Sequence, residues 1–362
     1  MNNKKLFIGV MSGTSLDGVD VALCEIDDNS CKLIHSHEYP FPSDLKEAIL
    51  TAISSTLTLK SIGILDHKLG VLYANAINEF LFTYKIEKEE VSAIGLHGQT
   101  LWHEPHTQTP FSMQLGDANI VASQTNITTV ADFRRMDIAN GGQGAPFAPA
   151  FHKFLFSHLG EGVAVLNIGG MANITLLEEP LLGWDSGCGN VLLDHFTNKC
   201  LNKAYDKDGE FAQSGTLNNT LLQTMLSDTY FQKISPKSTG REYFNAQWLE
   251  AILSNFTEVN AADIQRTLLE LTAKSIANDL ENHQITTLII CGGGAKNKFL
   301  MQRLQALTST NVTSSDALGV DGDALEAMAF AWFAYKRVKN EKVDLMSVTG
   351  AKQNSLLGAI YG

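Results

Sequence analysis

The stretch IGVMSGTSLDGVDVAL, residues 8–23, reads as two apolar runs joined by a turn rich in Gly, Ser, Thr and Asp. Apolar runs on both sides of a polar turn predict a β-hairpin. The turn itself, SGTSLDG at residues 12–18, is longer than a tight hairpin requires, and its backbone N–H groups and hydroxyls could cradle a phosphate. The same residues are also common turn formers. A phosphate site and a decorated hairpin loop therefore both stay open at this point.

The elements around this hairpin mix strands and helices through the first third of the chain. Apolar runs bounded by turn residues predict strands at residues 6–11, 19–26, 32–40, 92–96 and near 127–131. Helical periodicity predicts helices at residues 44–54, 62–84 and near 117–124. The glycine-rich run NGGQGAP, residues 140–146, is the best candidate for a hinge or a domain boundary.

The second part of the chain opens in the same order as the first. Strand patterns at residues 162–168, 172–177 and 181–185 accompany a Gly-Gly turn, and we interpret this similarity as a weak internal duplication. Later patterns predict a helix at 262–281, a strand at 287–291 and helices at 297–307 and 320–338, whereas the tail from residue 341 has little pattern. Mixed elements with an antiparallel hairpin opening each half predict a two-lobed α/β fold.

Composition narrows the classes of function. A chain of 362 residues exceeds the usual single-domain size, so two domains that share a cleft are expected. The net charge of −12 and the lack of a Lys/Arg-rich run argue against nucleic acid or a membrane as a partner. Five cysteines without a CxxC pair fit reduced thiols, and no apolar stretch approaches the roughly 20 residues of a membrane span. We therefore expect a cytoplasmic protein.

Several familiar active-site motifs are absent. Neither GxxxxGK[ST] nor a strand-linked GxGxxG occurs, which disfavours a P-loop or a dinucleotide-binding fold. The run HEPH at residues 103–106 has the wrong spacing for a zinc protease, and Pro105 opposes the helix that such a motif needs. No GxSxG elbow marks a nucleophilic serine. A phosphate bound by this acidic chain must be held locally, by backbone amides, a metal ion or a few basic groups.

Two stretches of the second half combine glycines with strand ends. CGGGAKNKFL, residues 291–300, reads as a buried strand, a glycine turn and a helix opening at Asn297, an arrangement that favours a nucleotide. It could equally be a connection that merely needs positive φ. GWDSGCGNVLLDHF, residues 183–196, places Asp185 at a strand end, where an α/β protein positions a general base. The alternative is that Asp185 caps its own turn.

Three further side chains are candidates for ligand contact. Glu326 lies in a helix that is apolar on nearly every face, so we expect it to be buried and to face a ligand, although its charge also suits an early helix position. His97 ends a predicted strand in the run HGQT. Arg134, followed by Arg135 in ADFRRMD, could meet a carboxylate or a phosphate, or form an interdomain ion pair.

Taken together, these motifs resemble one family. GVMSGTSLDGVDVAL, LHGQT, ADFR, GGQGAP, LNIGGMANIT, DSGCGN and GGGAKN occur in this order, and together they look like anhydro-N-acetylmuramic acid kinase from residue 9 to about residue 332. The resemblance implies a two-lobed actin-like or sugar-kinase ATPase fold with mixed sheets and a central cleft. It also implies an N-terminal lobe of residues 1–135, completed by residues 325–362, and a C-terminal lobe of residues 136–324.

The resemblance implies the ligands and the residues that bind them. ATP with Mg²⁺ would be bound by Gly13, Thr14, Ser15, Leu16, Asp17, Gly18, Val19, Asp20, Gly169, Gly170, Gly292, Gly293 and Gly294. Asp17 or Asp20 would reach the metal through water, with no direct metal ligand. The sugar would be bound by His97, Arg134, Asn190 and Glu326.

The reaction implied by the resemblance belongs to the recycling of peptidoglycan. Asp185 would activate the water that opens 1,6-anhydro-N-acetylmuramic acid while O6 is phosphorylated, which gives N-acetylmuramic acid 6-phosphate and ADP. The family's acidic motif usually reads Asp-Thr-Gly-Pro-Gly-Asn, so Cys188 replaces a proline that fixes φ. The alternatives are another sugar or small-carboxylate kinase and a non-enzymatic ATP-driven switch. We expect a homodimer.

Overall fold

The computed structural model describes residues 5–13, 16 and 18–362. Contacts divide the chain into two compact units, Met1–Leu155 with Ala324–Gly362, and Phe156–Asp323. The first break lies later in the chain than the predicted boundary at residue 135, and the second lies beside the predicted return at residue 325. All five cysteines are free. Within the described ranges, no helix is long and apolar enough to cross a membrane.

The strands and helices alternate along the chain. The strands of the described chain are β1 Lys5–Met11, β2 Gly18–Ile26, β3 Cys31–Pro40, β4 Val91–Leu96, β5 Gln99–Glu104, β6 Phe111–Leu115, β7 Thr129–Ala131, β8 Val163–Ile168, β9 Met171–Leu176, β10 Leu182–Cys188, β11 Thr287–Cys291, β12 Asn311–Ser314 and β13 Ala359–Tyr361. The α-helices are α1 Ser43–Ser54, α2 Leu59–Tyr84, α3 Ala118–Thr125, α4 Arg134–Ala139, α5 Ala148–Phe156, α6 Val191–Leu201, α7 Glu210–Gln213, α8 Asn219–Leu226, α9 Ala246–Leu253, α10 Ala261–Leu280, α11 Lys298–Leu307, α12 Leu325–Val338 and α13 Met346–Thr349.

A mixed sheet forms the centre of the first unit, with strands in the order β13-β7-β4-β1-β2-β3. The hairpin of β1 and β2 is antiparallel, and Met11 lies opposite Asp20, so the opening motif is the turn of a long hairpin, as predicted. Strands β1, β4 and β7 run parallel. Helix α12 packs on β1, β2 and β4. Gly9 and Gly95 permit this close approach, because a Cβ on either residue would collide with the backbone of α12.

The second unit has a sheet in the order β10-β9-β8-β11-β12. Strands β10, β9 and β8 are antiparallel neighbours, whereas β8, β11 and β12 run parallel. Helix α10 is buried along most of its length. Its inward carboxylate, Glu270, accepts hydrogen bonds from Arg266 at 2.8 Å and from Arg303 at 2.8 Å, which compensates the burial of these charges.

The two sheets repeat one pattern of pairing. In the first sheet, β3, β2 and β1 pair antiparallel, and β1, β4 and β7 then pair in parallel. In the second sheet, β10, β9 and β8 pair antiparallel, and β8, β11 and β12 then pair in parallel. The pairing confirms the internal duplication that the order of elements suggested. It also confirms an α/β fold with mixed sheets.

Two sequence-based boundaries are wrong, and two short elements were not predicted. Helix α12 begins at Leu325 rather than at residue 320, because Asp316 and Asp321 accept the backbone N–H groups of Gly322 and Asp323 and hold the preceding segment in a turn. Strand β10 continues past Asp185 to Cys188 through a bulge. The tail that lacked a pattern contains α13 and the edge strand β13, which pairs antiparallel with β7.

Candidate active site

Three motifs of the second unit converge at one edge of its sheet. Because β8 and β11 run parallel with Asn167 opposite Cys291, the turns that follow both strands leave the sheet at the same end. The backbone N–H of Asn190 donates to the carbonyl of Gly169 at 2.8 Å, and that of Gly189 donates to Gly170 at 2.9 Å. The runs NIGG, CGGG and SGCGN, well separated in sequence, therefore form one cluster of turns.

Only some glycines of this cluster are required by the backbone conformation or by close packing. Gly292 has a φ of +75°, which favours glycine, and a Cβ on Gly294 would collide with the side chain of Ile168. Gly169 and Gly293 have no such requirement: φ is not positive, and a Cβ on either would find no described atom nearer than 3.8 Å. The missing side chains at Gly169 and Gly293 leave open space, as a closely bound ligand requires. Gly170 faces the guanidinium of Arg241.

Asn190 belongs to this cluster by position. Its side-chain amide donates to the carbonyl of Ile168 at 3.3 Å and does not cap α6. The amide nitrogen lies 3.8 Å from the position of a Cβ on Gly293. The structure thus places Asn190 beside the glycine turns that we assigned to ATP, whereas the sequence assigned it to the sugar.

Cys188, which replaces the family's usual proline, is fully buried. Its carbonyl and that of Gly189 accept hydrogen bonds from the Thr272 hydroxyl at 3.2 and 3.0 Å. Burial raises the pKa of the Cys188 thiol to about 12, so this cysteine is neutral. Helix α10 therefore anchors the loop without the conformational restriction of a proline.

Asp185 is held by a separate segment of the second unit. Its Oδ2 accepts hydrogen bonds from the Ser238 hydroxyl at 2.8 Å and from the Thr239 N–H at 3.1 Å. Its backbone N–H donates to Lys237 at 2.9 Å, and its carbonyl accepts from the Tyr230 hydroxyl at 2.6 Å. Asp185 therefore lies within a strand rather than at its end, and its carboxylate does not cap its own turn.

Burial raises the pKa of Asp185 above its ordinary value, although the two hydrogen bonds to Oδ2 act in the opposite direction. The charge of Glu242 raises it further. A carboxylate with a raised pKa is a stronger base than an ordinary surface aspartate. The environment of Asp185 therefore suits the acceptance of a proton.

His97 and Arg134 meet in the first unit. Both Nε and Nη2 of Arg134 lie within hydrogen-bond distance of His97 Nε2, at 3.3 and 2.8 Å, so this ring nitrogen is the acceptor. Burial, and then the charge of Arg134, lower the pKa of His97 well below its usual range. The histidine is therefore neutral, and its buried Nδ1 has no partner among the described residues.

Glu326 differs from its sequence-based description. It is exposed, although every other residue of α12 from Leu325 to Tyr335 is buried. The surrounding protein nevertheless desolvates the Glu326 carboxyl and raises its pKa, while the charge of Arg134 opposes this shift. The expectation of burial therefore holds for the electrostatic surroundings of the carboxyl and not for its accessible surface. Desolvation lowers the pKa of Arg134 to about 10, and the negative charge of Glu326 opposes this shift. Glu326 and Arg134 thus interact through their opposite charges on the first unit.

The opening turn is described only in part, because Thr14, Ser15 and Asp17 lie outside the described residues. Leu16 has a φ of 56°, and its N–H donates to the Gly13 carbonyl at 3.2 Å. The side chains of Leu16 and Val19 are buried in the core, so only their backbone can face a ligand. Asp20 lies on β2. Gly18 begins the same strand, opposite Pro40.

The sequence did not single out several polar residues of these clusters. Gln99 donates to the Gly13 carbonyl at 3.4 Å, and its buried Oε1 has no partner in the described part of the chain. Ser238, Thr239 and Arg241 all lie in the run KSTGRE, residues 237–242. A polar run containing glycine is the one signal that could have drawn attention to it. Within the described ranges, no group of three His, Cys, Asp or Glu side chains could hold a metal ion.

A family model described as anhydro-N-acetylmuramic acid kinase matches residues 5–362. This match defines the class of the protein: the chain is a kinase that phosphorylates a sugar hydroxyl. The chain belongs to the anhydro-N-acetylmuramic acid kinase family, and the resemblance seen in its motifs is confirmed.

Curated relatives agree with this family. The anhydro-N-acetylmuramic acid kinase of Sulfurimonas denitrificans is 54% identical, over 99% of this chain and 99% of that protein. That of Pasteurella multocida is 49% identical, over 98% of this chain and 96% of that protein. That of Vibrio vulnificus is 48% identical, over 100% and 99%.

Proposed function

We propose that this chain opens 1,6-anhydro-N-acetylmuramic acid with water and phosphorylates O6 at the expense of ATP, in the recycling of peptidoglycan. The observation that carries the proposal is the setting of Asp185. Two donors bind its Oδ2, and no described residue donates to Oδ1. A base needs one oxygen that no donor already occupies in order to receive a proton. Membership of the family supplies the substrate.

The proposed reaction uses Asp185 as its single base. Water loses a proton to Oδ1, and its oxygen forms a bond to the anomeric carbon. The bond between that carbon and O6 breaks, and O6 keeps the electron pair. O6 then takes the γ-phosphoryl group, so that ADP leaves. Because O6 becomes negative as the ring opens, no second base is required to activate it.

We assign the binding of ATP to the open glycines of the second unit and to the opening turn of the first. Gly169 and Gly293 have room for a ligand, and turns of this kind present backbone N–H groups to phosphates. Gly13, Gly18 and Asp20 belong to the turn and to the strand that follows it. Bound Mg²⁺ would neutralise charge on the phosphate oxygens. Asp17 or Asp20 would hold this ion through water, because Mg²⁺ bound to phosphates needs only one or two carboxylates.

We assign the recognition of the sugar to Arg134, His97 and Glu326 of the first unit. The substrate carries a lactyl carboxylate, and a guanidinium binds such a group with two parallel hydrogen bonds. His97 accepts hydrogen bonds from Arg134 and so orients the guanidinium. The exposed carboxylate of Glu326 can accept hydrogen bonds from sugar hydroxyls or from the acetamido N–H.

Replacement of Asp185 by Asn tests the proposal. A coupled ADP-release assay should show a loss of turnover of about 10²-fold or more, because the amide cannot accept the proton. The affinity for ATP should be unchanged. Asp44→Asn, at an exposed aspartate of α1, is the matched control. Near-normal turnover of Asp185→Asn would remove this residue from its role. In the same assay, equal turnover of N-acetylglucosamine would point to another sugar kinase.

We also propose a cytoplasmic homodimer. Support for association comes from large apolar side chains that are exposed on α1 and α2, among them Leu50, Leu59 and Phe82, of which Leu59 is 89% exposed. Light scattering on the purified protein should give twice the mass of one chain. A single-chain mass at micromolar concentration would contradict the dimer.

A further inference from the structure

Residues 237–239 bind two polar groups of Asp185, its backbone N–H and one carboxylate oxygen. The Lys237 carbonyl accepts the Asp185 N–H, and the Ser238 hydroxyl and the Thr239 N–H donate to Oδ2. The Asp185 carbonyl accepts from Tyr230, which leaves Oδ1 as the polar group without a donor among the described residues. Since rotation of the carboxylate about its bond to Cβ would break both hydrogen bonds to Oδ2, these contacts fix the direction in which Oδ1 points.

The segment is itself anchored in the interior of the second unit. The Lys237 ammonium forms an ion pair with Asp279 of α10 at 2.8 Å, with the Lys237 side chain only 3% exposed. The second oxygen of Asp279 accepts the indole N–H of Trp184 at 3.1 Å. Trp184 precedes Asp185 on β10, so Asp279 connects the strand and the segment that holds its carboxylate. A buried ion pair with these additional hydrogen bonds restricts movement of the segment.

We propose that Ser238 and Thr239 are positioning residues, which hold Asp185 so that its Oδ1 faces the attacking water. This inference rests on the proposed function, because it assumes that Asp185 is the base. Neither residue takes part in the proton transfer. The hydroxyl and the N–H set the geometry of the carboxylate.

The positioning has a consequence for the pH dependence of the reaction. A donor to the ionised carboxylate favours the charged form, so removal of the Ser238 hydroxyl should raise the pKa of Asp185. The base is active when ionised, and its activity is lost as the pH falls through this pKa. A raised pKa therefore moves the acidic limb of the rate profile to higher pH.

The other titratable groups around Asp185 do not account for a movement of the acidic limb to higher pH. Burial raises the pKa of Tyr230 far above its ordinary value and that of Cys188 to about 12, so both remain neutral near neutral pH. Lys237 is paired with Asp279. Glu242 raises the pKa of Asp185 through its charge. Loss of the Glu242 charge should therefore move the limb in the opposite direction from loss of the Ser238 hydroxyl.

The experiment measures the single-turnover rate against pH for Ser238→Ala. We expect the acidic limb to move upward by about one pH unit, since a hydrogen bond to a charged group is worth about that much. On the plateau the rate should fall about 10-fold, with the KM for ATP unchanged. Ser238→Thr, which keeps the hydroxyl, should have its acidic limb at the same pH as the wild-type protein. Ser254→Ala is the matched control, because its exposed hydroxyl bonds only the carbonyl of Ala251.

Glu242→Gln and Asp185→Asn distinguish a failure of the positioning role from a failure of the proposed function. If Glu242→Gln lowers the limb while Ser238→Ala leaves it in place, Asp185 is the titrating base and the positioning role is wrong. If Asp185→Asn retains turnover, the proposed function fails instead. An unchanged limb in Ser238→Ala therefore overturns this inference whatever its thermal stability.

Discussion

At the scale of single residues, the contact with His97 gives the Arg134 guanidinium a defined orientation as well as a charge. Both Nε and Nη2 lie within hydrogen-bond distance of one ring nitrogen, so the plane of the guanidinium is fixed. A lysine carries its three donors on one tetrahedral nitrogen and cannot reproduce the planar fork of a guanidinium. The arrangement distinguishes Arg134 from its neighbour Arg135, which is exposed and pairs with Asp132 at 3.1 Å.

Arg134→Lys should therefore raise the KM for the sugar by about 10-fold to 100-fold, equivalent to the loss of about one or two charge-assisted hydrogen bonds. The KM for ATP should stay constant. Steady-state kinetics with each substrate varied in turn measures both constants. Arg135→Lys is the control and should behave as wild type. An unchanged KM for the sugar in Arg134→Lys would exclude the proposed contact with the substrate.

At the scale of elements, the glycine turn after β11 should contain one position that affects nucleotide binding and another that affects stability. Gly293→Ala should leave the thermal midpoint of the free protein unchanged, since a Cβ has space there, but should reduce the rise in midpoint that ATP produces. Gly294→Ala should lower the midpoint of the free protein, because its Cβ would collide with Ile168. Thermal unfolding with and without ATP measures both. A full ATP shift in Gly293→Ala would contradict the assignment.

The packing of α12 predicts a second effect at this scale. Gly95→Ala would place a Cβ against the backbone of Phe330, which cannot yield as a flexible side chain can. We expect a loss of about 2 kcal/mol or more in the free energy of unfolding. Because α12 also carries Glu326, the KM for the sugar should rise. Urea denaturation and steady-state kinetics check the two effects.

Gly63→Ala on α2 is the control for this substitution. No described atom lies within 4 Å of its Cβ position, so the change should be neutral or stabilise the helix by about 0.5–1 kcal/mol. If Gly95→Ala and Gly63→Ala unfold at the same urea concentration, the close approach of α12 to β4 does not contribute as described.

At the scale of the whole molecule, the sequence predicted much of the architecture because its central strands are buried on both sides. Strands β1, β8 and β11 are continuous apolar runs, and such runs are visible without a structure. The repeated pattern of pairing was visible only as an order of elements. Strand β13 was missed because a three-residue edge strand has too few positions to show a period.

The candidate site was predictable where a motif marked it and was missed where contacts cross the chain. Asp185 stands in a recognisable run, but its partner Ser238 lies 53 residues away, and no periodicity connects them. The exposure of Glu326 was equally hidden, because it depends on which face of α12 the sheet covers. Spatial proximity of this kind follows from topology and not from local composition.

The measurement that tests the central claim most directly is one turnover in oxygen-18 water. If Asp185 activates water against the anomeric carbon, the sugar phosphate formed should carry one oxygen-18 atom at that carbon and none in its phosphate. Analysis by mass spectrometry must be rapid, with preformed unlabelled product incubated in the same water as the control for exchange. A product without label at the anomeric carbon would contradict the account, because O6 would then have been phosphorylated without hydrolytic opening of the ring.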